Sequence, residues 1–410
     1  MSKGQTVCLS QFAQKESRYR MAFALITGLF FMWGLSYGLL DVLNKHFQET
    51  LHVTKAQSGL LQAAYFSAYF LIAIPAALLM EIWGYKKGIL LGLCLFATGA
   101  LLFIPASTAM SFPYFLLALF VIASGLACLE TAANPYVAVL GASETTVRRL
   151  NLSQSFCGLG CFIGPLIGGA FFFSSGETGG NDLGSVQMTY AIIGGAALLM
   201  AALVDYTSMP DIREEKTVPS NMLEKSLIQH RHFVFGVIAQ FFYVAAQVGI
   251  WAFFINYVTE QWSQVSSRHA SFLLSLGMLC FTVGRFVNTM LMGRFVPNAM
   301  LVLYALINVA LTFLVVIGIP GVSVIALVAL FFFMSIMFPT IFALSLINLG
   351  SHTKRGASLQ VMAVSGGAVM PYLMGRIADN YSTALSFLLP MFCFFLIAAY
   401  GWCGYKVRGD

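Results

Sequence analysis

The chain has 410 residues, of which only 9% are charged and 59% are hydrophobic, and its mean hydropathy is +0.82. A water-facing surface cannot be built from that composition, so much of the surface lies in lipid, and a soluble enzyme, a nucleic-acid binder and a disordered scaffold are excluded. The formal charge of +6 reports orientation and not an acidic partner, because membrane proteins distribute Lys and Arg by topology.

A crossing helix needs about 20 apolar residues. After a polar tail over residues 1–20, apolar runs of that length fall at 21–43, 57–80, 88–106, 113–140, 150–174 and 187–207. A charged stretch over 208–231 then reads as a cytoplasmic linker, and six more runs follow at 233–258, 269–293, 299–317, 321–349, 357–378 and 384–405. The expected organisation is therefore a tail, a six-helix bundle over 21–207, the linker, and a second bundle with a short tail over 232–410. With the N-terminus inside, 18 of the 22 Lys and Arg fall on inward segments, which predicts that both termini are cytoplasmic. The first run lacks a small-residue cleavage site, so it reads as a retained span. Most of the eight cysteines lie within spans, without a C-x-x-C pair or a histidine cluster, so neither a disulfide framework nor a zinc site is predicted.

The two halves repeat. At a shift of 206, Arg149 falls on Arg355, Gln154 on Gln360, Gly160 on Gly366, Pro165 on Pro371 and Gly169 on Gly375; at 204, Pro135 falls on Pro339. A parallel repeat of six plus six spans marks the major facilitator architecture, an all-α membrane fold of two pseudo-symmetric six-helix bundles that rock about a midplane cavity. Singly, such glycines and prolines serve helix packing and kinking; as an ordered set they support the architecture more than any substrate.

Two acids do not belong in lipid. Asp41 follows Phe30, Phe31, Met32, Trp33, Leu39 and Leu40 on the first span, and Glu130 lies inside the fourth. A carboxylate at that depth costs about 3 kcal/mol or more unless it faces a polar cavity or is neutralised, which makes both candidate proton carriers. A basic partner is the structural alternative, but Arg285 is the only deep base. Glu81, beside Lys86 and Lys87, reads as structural, and Arg285 as a gate or hinge residue of the second half.

Helical spacing collects polar and aromatic faces. Trp33, Tyr37 and Asp41 follow i, i+4, i+8 on the first span; Glu130 and Asn134 are four apart on the fourth; Asn151, Gln154 and Gly158 align on the fifth; Gln240, Tyr243, Gln247 and Trp251 form a stripe on the seventh. Amides beside aromatic faces suit the hydroxyls and C–H faces of a sugar, whereas an anionic substrate would ask for deep basic residues. The candidate substrate contacts are Gln154, Gln247, Trp251, Asn134, Tyr37, Tyr243, Trp33 and Gln360. Aligning the first and seventh spans puts Asp41 on Trp251, and Glu130 falls near Met334, so proton handling is confined to the first half. No H-E-x-x-H or G-x-x-x-x-G-K-[ST] motif is present, so neither an enzyme, an ATP-driven pump nor any cofactor is predicted.

The stretch Cys128 to Val137 containing L-E-T-A-A-N-P, then Arg149 to Phe156, Phe338 to Phe342 and Asn348-Leu349-Gly350 resemble the L-fucose permease family of bacterial sugar–proton symporters, from about residue 20 to the C-terminus. The resemblance implies inward transport of a neutral monosaccharide across the inner membrane, driven by protons, by a protein that works as a monomer. It also implies that Asp41 and Glu130 carry proton coupling and help bind the sugar. Where that family's fucose permease has asparagines before the first-span acid this chain has Tyr37, Gly38 and Leu40, and Cys157 stands for an asparagine of the fifth span. Those differences remove hydroxyl-binding amides and point to a different or less hydroxylated sugar. An exporter of the same fold and sodium-coupled uptake are the rival readings.

Overall fold

The computed structural model describes residues 3–139, 146–173, 183–207, 227–291, 294–347, 349 and 353–406. Among them are twelve helices long and apolar enough to cross a membrane. The first six are Met21–Thr50, Lys55–Met80, Tyr85–Thr108, Phe112–Ala133, Leu152–Phe172 and Gly184–Tyr206. The last six are Arg231–Gln261, Ser267–Asn288, Pro297–Ile317, Val322–Ser345, Leu359–Asn380 and Thr383–Gly404. Each is predominantly apolar and helical, because in lipid the backbone must satisfy its own hydrogen bonds while most side chains face acyl tails or other helices.

Two boundaries differ from the sequence expectation for a physical reason. The first span continues past residue 43 to Thr50, because the polar side chains there bond to one another and to the second span: Gln48 Nε2 donates to Asn44 Oδ1 at 2.8 Å, and Asn44 Nδ2 to Gln62 Oε1 at 3.0 Å. The seventh helix begins at Arg231, so the last residues of the expected linker form a short turn, Leu227–Gln229, and a helix start; residues 208–226 of the linker lie outside the described residues. Three spans of the second half are interrupted. The tenth breaks between Met334 and Met337, the eleventh passes through a tight turn at Ala363–Ser365, and the twelfth ends in a wide turn at Tyr400–Gly404.

The packing repeats as the sequence does. Span 1 packs on 5 as 7 packs on 11; 3 on 4 as 9 on 10; 2 on 4 as 8 on 10; and 3 on 6 as 9 on 12. Across the halves, span 5 meets 8 as 11 meets 2. One pair of glycines shows why these positions recur. A Cβ on Gly160 would lie 2.3 Å from the carbonyl oxygen of Phe31, and one on Gly366 would lie 2.1 Å from that of Phe241. In both halves the fifth helix therefore presses its backbone onto the first at the same register, which only glycine permits.

Polar contacts join the halves at the end of the bundle that carries Lys55. Asp379 accepts from the backbone N–H groups of Lys55, at 3.0 Å, and Ala56, at 2.9 Å. The Lys55 ammonium pairs with Glu260 and donates to Thr383 Oγ1 at 3.0 Å. Ser267 donates to Glu49 at 2.5 Å. Gly59 and Gly375 let backbones touch here, since a Cβ on Gly375 would meet the Lys55 carbonyl oxygen at 2.5 Å.

Candidate functional site

The centre of the interface is aromatic. Tyr37 of the first span meets Trp251 of the seventh edge-on, with ring centroids 5.4 Å apart, and makes similar contacts with Tyr65 at 6.1 Å and Phe66 at 5.7 Å. Trp251 is stacked on Phe331 at 5.8 Å and meets Phe281 edge-on at 5.3 Å. It is only 4% exposed, and its indole Nε1 has no hydrogen-bond partner. An unpaired buried N–H costs about 1–3 kcal/mol, so this donor is suited to an acceptor that the chain does not itself supply.

Asp41 stands one turn beyond Tyr37, 3% exposed, and its Oδ2 also lacks a partner. The Gln62 side chain faces it, but Gln62 Nε2 is likewise unpaired. Cys161 of the fifth span lies within electrostatic range of Asp41 and of Arg285. Arg285 itself sits with its guanidinium carbon 5.0 Å over the Phe281 ring, and its Nε donates to the Ser335 carbonyl at 3.5 Å. The structure thus puts Arg285 beside the ring that supports Trp251.

Glu130 is half-buried on the fourth span and makes no hydrogen bond or ion pair among the described residues. Tyr69 of the second span is its neighbour. Tyr69 follows Tyr65 with ring centroids 5.8 Å apart, so a row of tyrosines, Tyr37, Tyr65 and Tyr69, runs between the two acids. This is the arrangement that separates a buried acid from a more accessible one while keeping polar side chains between them.

The other candidates divide. Gln247 is buried one turn before Trp251, and Gln154 is half-buried on the fifth span next to Ser153, whose hydroxyl meets that of Thr27 at 3.2 Å. Trp33 is half-buried, its ring 6.0 Å from Phe30. Tyr243 is fully buried and donates to the Met334 carbonyl at 2.9 Å. Gln360 is fully buried, with Nε2 donating to Ser345 Oγ at 2.6 Å beneath Gly236. Tyr243 and Gln360 thus hold helices of the second half together. The side chains of Asn134 and Glu81 lie outside the described residues. Sequence reasoning missed Gln62, Cys161, Phe281 and Phe331. The pairs Asn44 with Gln48 and Ser58 with Gln62, each at i, i+4 on adjacent spans, were the signal for the first of these.

Twelve apolar helices in two related sets, with a bare acid and an unpaired indole between them, define a multi-pass membrane carrier. A family model described as the Major Facilitator Superfamily matches residues 24–370, and the chain belongs to that family. It is 38% identical over 410 aligned residues to the L-fucose-proton symporter of Escherichia coli (strain K12), covering 94% of this chain and 93% of that protein. It is 36% identical to a glucose/galactose transporter of Brucella abortus biovar 1 (strain 9-941), covering 95% and 96%. The crystal structure of the family transporter FucP in the outward conformation superposes with a TM-score of 0.70 at 37% identity, covering 94% of this chain and 99% of that one.

Proposed function

We propose that the chain is a proton-coupled symporter that brings a neutral monosaccharide across the inner membrane by alternating access, acting as a monomer in the lipid bilayer with both termini in the cytoplasm. The observation that carries this reading is Asp41, a carboxyl held within the span with one oxygen unpaired, beside Tyr37 and the unpaired Trp251 indole. Sugar rings stack on aromatic faces and offer hydroxyls that accept and donate. Tyr37, Trp251, Gln247 and Gln154 line the sugar's place, with Asn134 and Trp33 as further contacts. The names of the two relatives support the substrate class.

Glu130, the more accessible acid, exchanges the proton with the cavity, and Asp41 senses it next to the sugar. The two halves, 21–207 and 232–410, reorient when both are loaded. Protein orientation by the basic-residue bias puts Lys55 and its partners on the outer face, so this conformation is closed to the outside. The membrane potential supplies about 2.3 kcal/mol per 100 mV for the transported charge, and the pH gradient about 1.4 kcal/mol per unit. Together these sustain a sugar gradient of roughly a hundredfold.

The test is a panel of hexoses, deoxyhexoses and amino sugars added to weakly buffered cells that carry the chain. One of them should produce external alkalinisation that persists when sodium is replaced by choline. Alkalinisation by none of them, or only with sodium, overturns the reading. In proteoliposomes Asp41→Asn should lose concentrative uptake; normal uptake removes Asp41 from the mechanism.

A further inference from the structure

A chain of side-chain hydrogen bonds leads from Asp41 to the contact that closes the Lys55 end. Ser58 Oγ donates to the Lys55 carbonyl at 2.8 Å, and Gln48 Nε2 donates to Ser58 Oγ at 2.8 Å. The same Gln48 amide holds Asn44 Oδ1 at 2.8 Å, and Asn44 Nδ2 holds Gln62 Oε1 at 3.0 Å. Asn44, Ser58 and Gln62 are fully buried and Gln48 is half-buried, so the Asn44–Gln62 bond is shielded from water and each amide's orientation is fixed by the next. At one end stands Lys55, whose backbone N–H and that of Ala56 are held by Asp379 of the other half, while its ammonium is held by Glu260 and Thr383. At the other end Gln62 Nε2 points toward Asp41 but is bonded to nothing, and Asp41 Oδ2 is unpaired.

We propose that Gln62 is a positioning residue that links the proton on Asp41 to the latch formed by Asp379, Lys55 and Glu260. In the geometry seen here Gln62 Oε1 is held by Asn44, and Asp41 Oδ2 is left without a donor. A neutral carboxyl tolerates that; a carboxylate in a low-dielectric interior does not. When Asp41 loses its proton, the nearest unpaired donor is Gln62 Nε2. Turning it onto the charge draws Oε1 from Asn44, frees Asn44 and Gln48, and loosens Ser58 from the turn that presents Lys55 and Ala56 to Asp379. The latch is thus firm while the acid is neutral and weak once it is charged. That order suits a symporter: a loaded carrier stays shut toward the outside, and one that has released its proton can reopen there.

Other ionisable groups around Asp41 are Tyr37 on its own helix and Cys161 on the fifth span, with Tyr65 of the second span and Tyr243 of the seventh behind Tyr37 and Arg285 of the eighth behind Cys161. His46, farther along the first span, faces Phe172, Phe173 and Thr50. At the latch the charged groups are Lys55, Glu260 and Asp379, with Lys45 and Glu49 paired nearby at 3.6 Å. The variants below separate Asp41 from all of these.

The inference rests on Asp41 being a coupling acid, and hydrogen exchange of the full chain in lipid nanodiscs tests it separately from transport. The amides of Lys55 and Ala56 report the latch directly. After correction for intrinsic rates, they should exchange roughly tenfold faster at mildly alkaline than at mildly acidic pH in the wild type. Asp41→Asn should keep them protected at both. Gln62→Leu should abolish the pH response, and Asn44→Ala, which cuts the same chain one link on, serves if Gln62→Leu does not fold. Asp379→Asn should expose both amides at every pH. A wild-type pH response in Gln62→Leu or Asn44→Ala overturns the link, as does one in Asp41→Asn, and retained protection in Asp379→Asn overturns the latch. If Asp41→Asn has lost concentrative uptake while Gln62→Leu keeps the wild-type response, the link alone fails; if Asp41→Asn transports normally, the coupling role itself fails.

Discussion

The two halves share a scaffold and differ in chemistry. Gly160 and Gly366 meet the carbonyls of Phe31 and Phe241 at the same register, and the helix pairings of one half recur in the other. Yet the position that carries Asp41 in the first half carries Trp251 in the second, and the counterpart of Glu130 is close to Met334, whose carbonyl receives the Tyr243 hydroxyl. Duplication preserved what the backbone needs in order to pack. The polar groups were free to diverge: Asp41 and Glu130 stand in the first half, and the second brings Trp251, Phe281 and Phe331 to the same interface.

Removing Glu130 from the first half should have the largest effect. Glu130→Gln should abolish pH-driven accumulation, a loss of roughly a hundredfold in the attainable sugar gradient, while exchange of labelled for unlabelled sugar persists; accumulation at the wild-type level shows that the division of labour is wrong. The shared scaffold is probed by adding one methyl to either half. Gly160→Ala and Gly366→Ala should each destabilise the protein by about 1–3 kcal/mol, read as a lower Tm in detergent, whereas Gly195→Ala, with open space around its Cβ, should leave Tm alone. Equal losses at 160 and 366 sharpen the symmetry, and an effect at only one denies it. The aromatic side is tested by Trp251→Phe, which keeps a ring but deletes the indole N–H. KM for sugar should rise roughly tenfold, the equivalent of about 1.4 kcal/mol, with proton-to-sugar stoichiometry unchanged. The smallest effect is expected from Tyr243→Phe, which removes the bond to Met334 and should cost about 0.6 kcal/mol with KM unaltered; a large change in KM would move Tyr243 from scaffold to sugar contact.

Span number, the repeat and the two acids were legible because each follows from a one-dimensional rule: run length, register, or a charge where lipid forbids one. Side-chain partnership was not. Gln360 gives its Nε2 to Ser345 inside its own half, and nothing in spacing alone shows which neighbour a buried amide will bond. Arg285 was legible as a deep base, but the bond from its Nε to the Ser335 carbonyl of another span was not. Gln62 escaped notice because its meaning depends on Asn44 and Asp41 of another helix, and only packing brings them together.

The setting of Trp251 also gives the protein a built-in optical probe. Of its five tryptophans, Trp83 and Trp402 face outward, whereas Trp251 is enclosed by Phe281, Phe331 and the Tyr37 ring of the opposite half. Any event that parts the first and seventh helices changes the surroundings of that indole, so the emission wavelength of the unlabelled protein should report what share of carriers has the two helices apart.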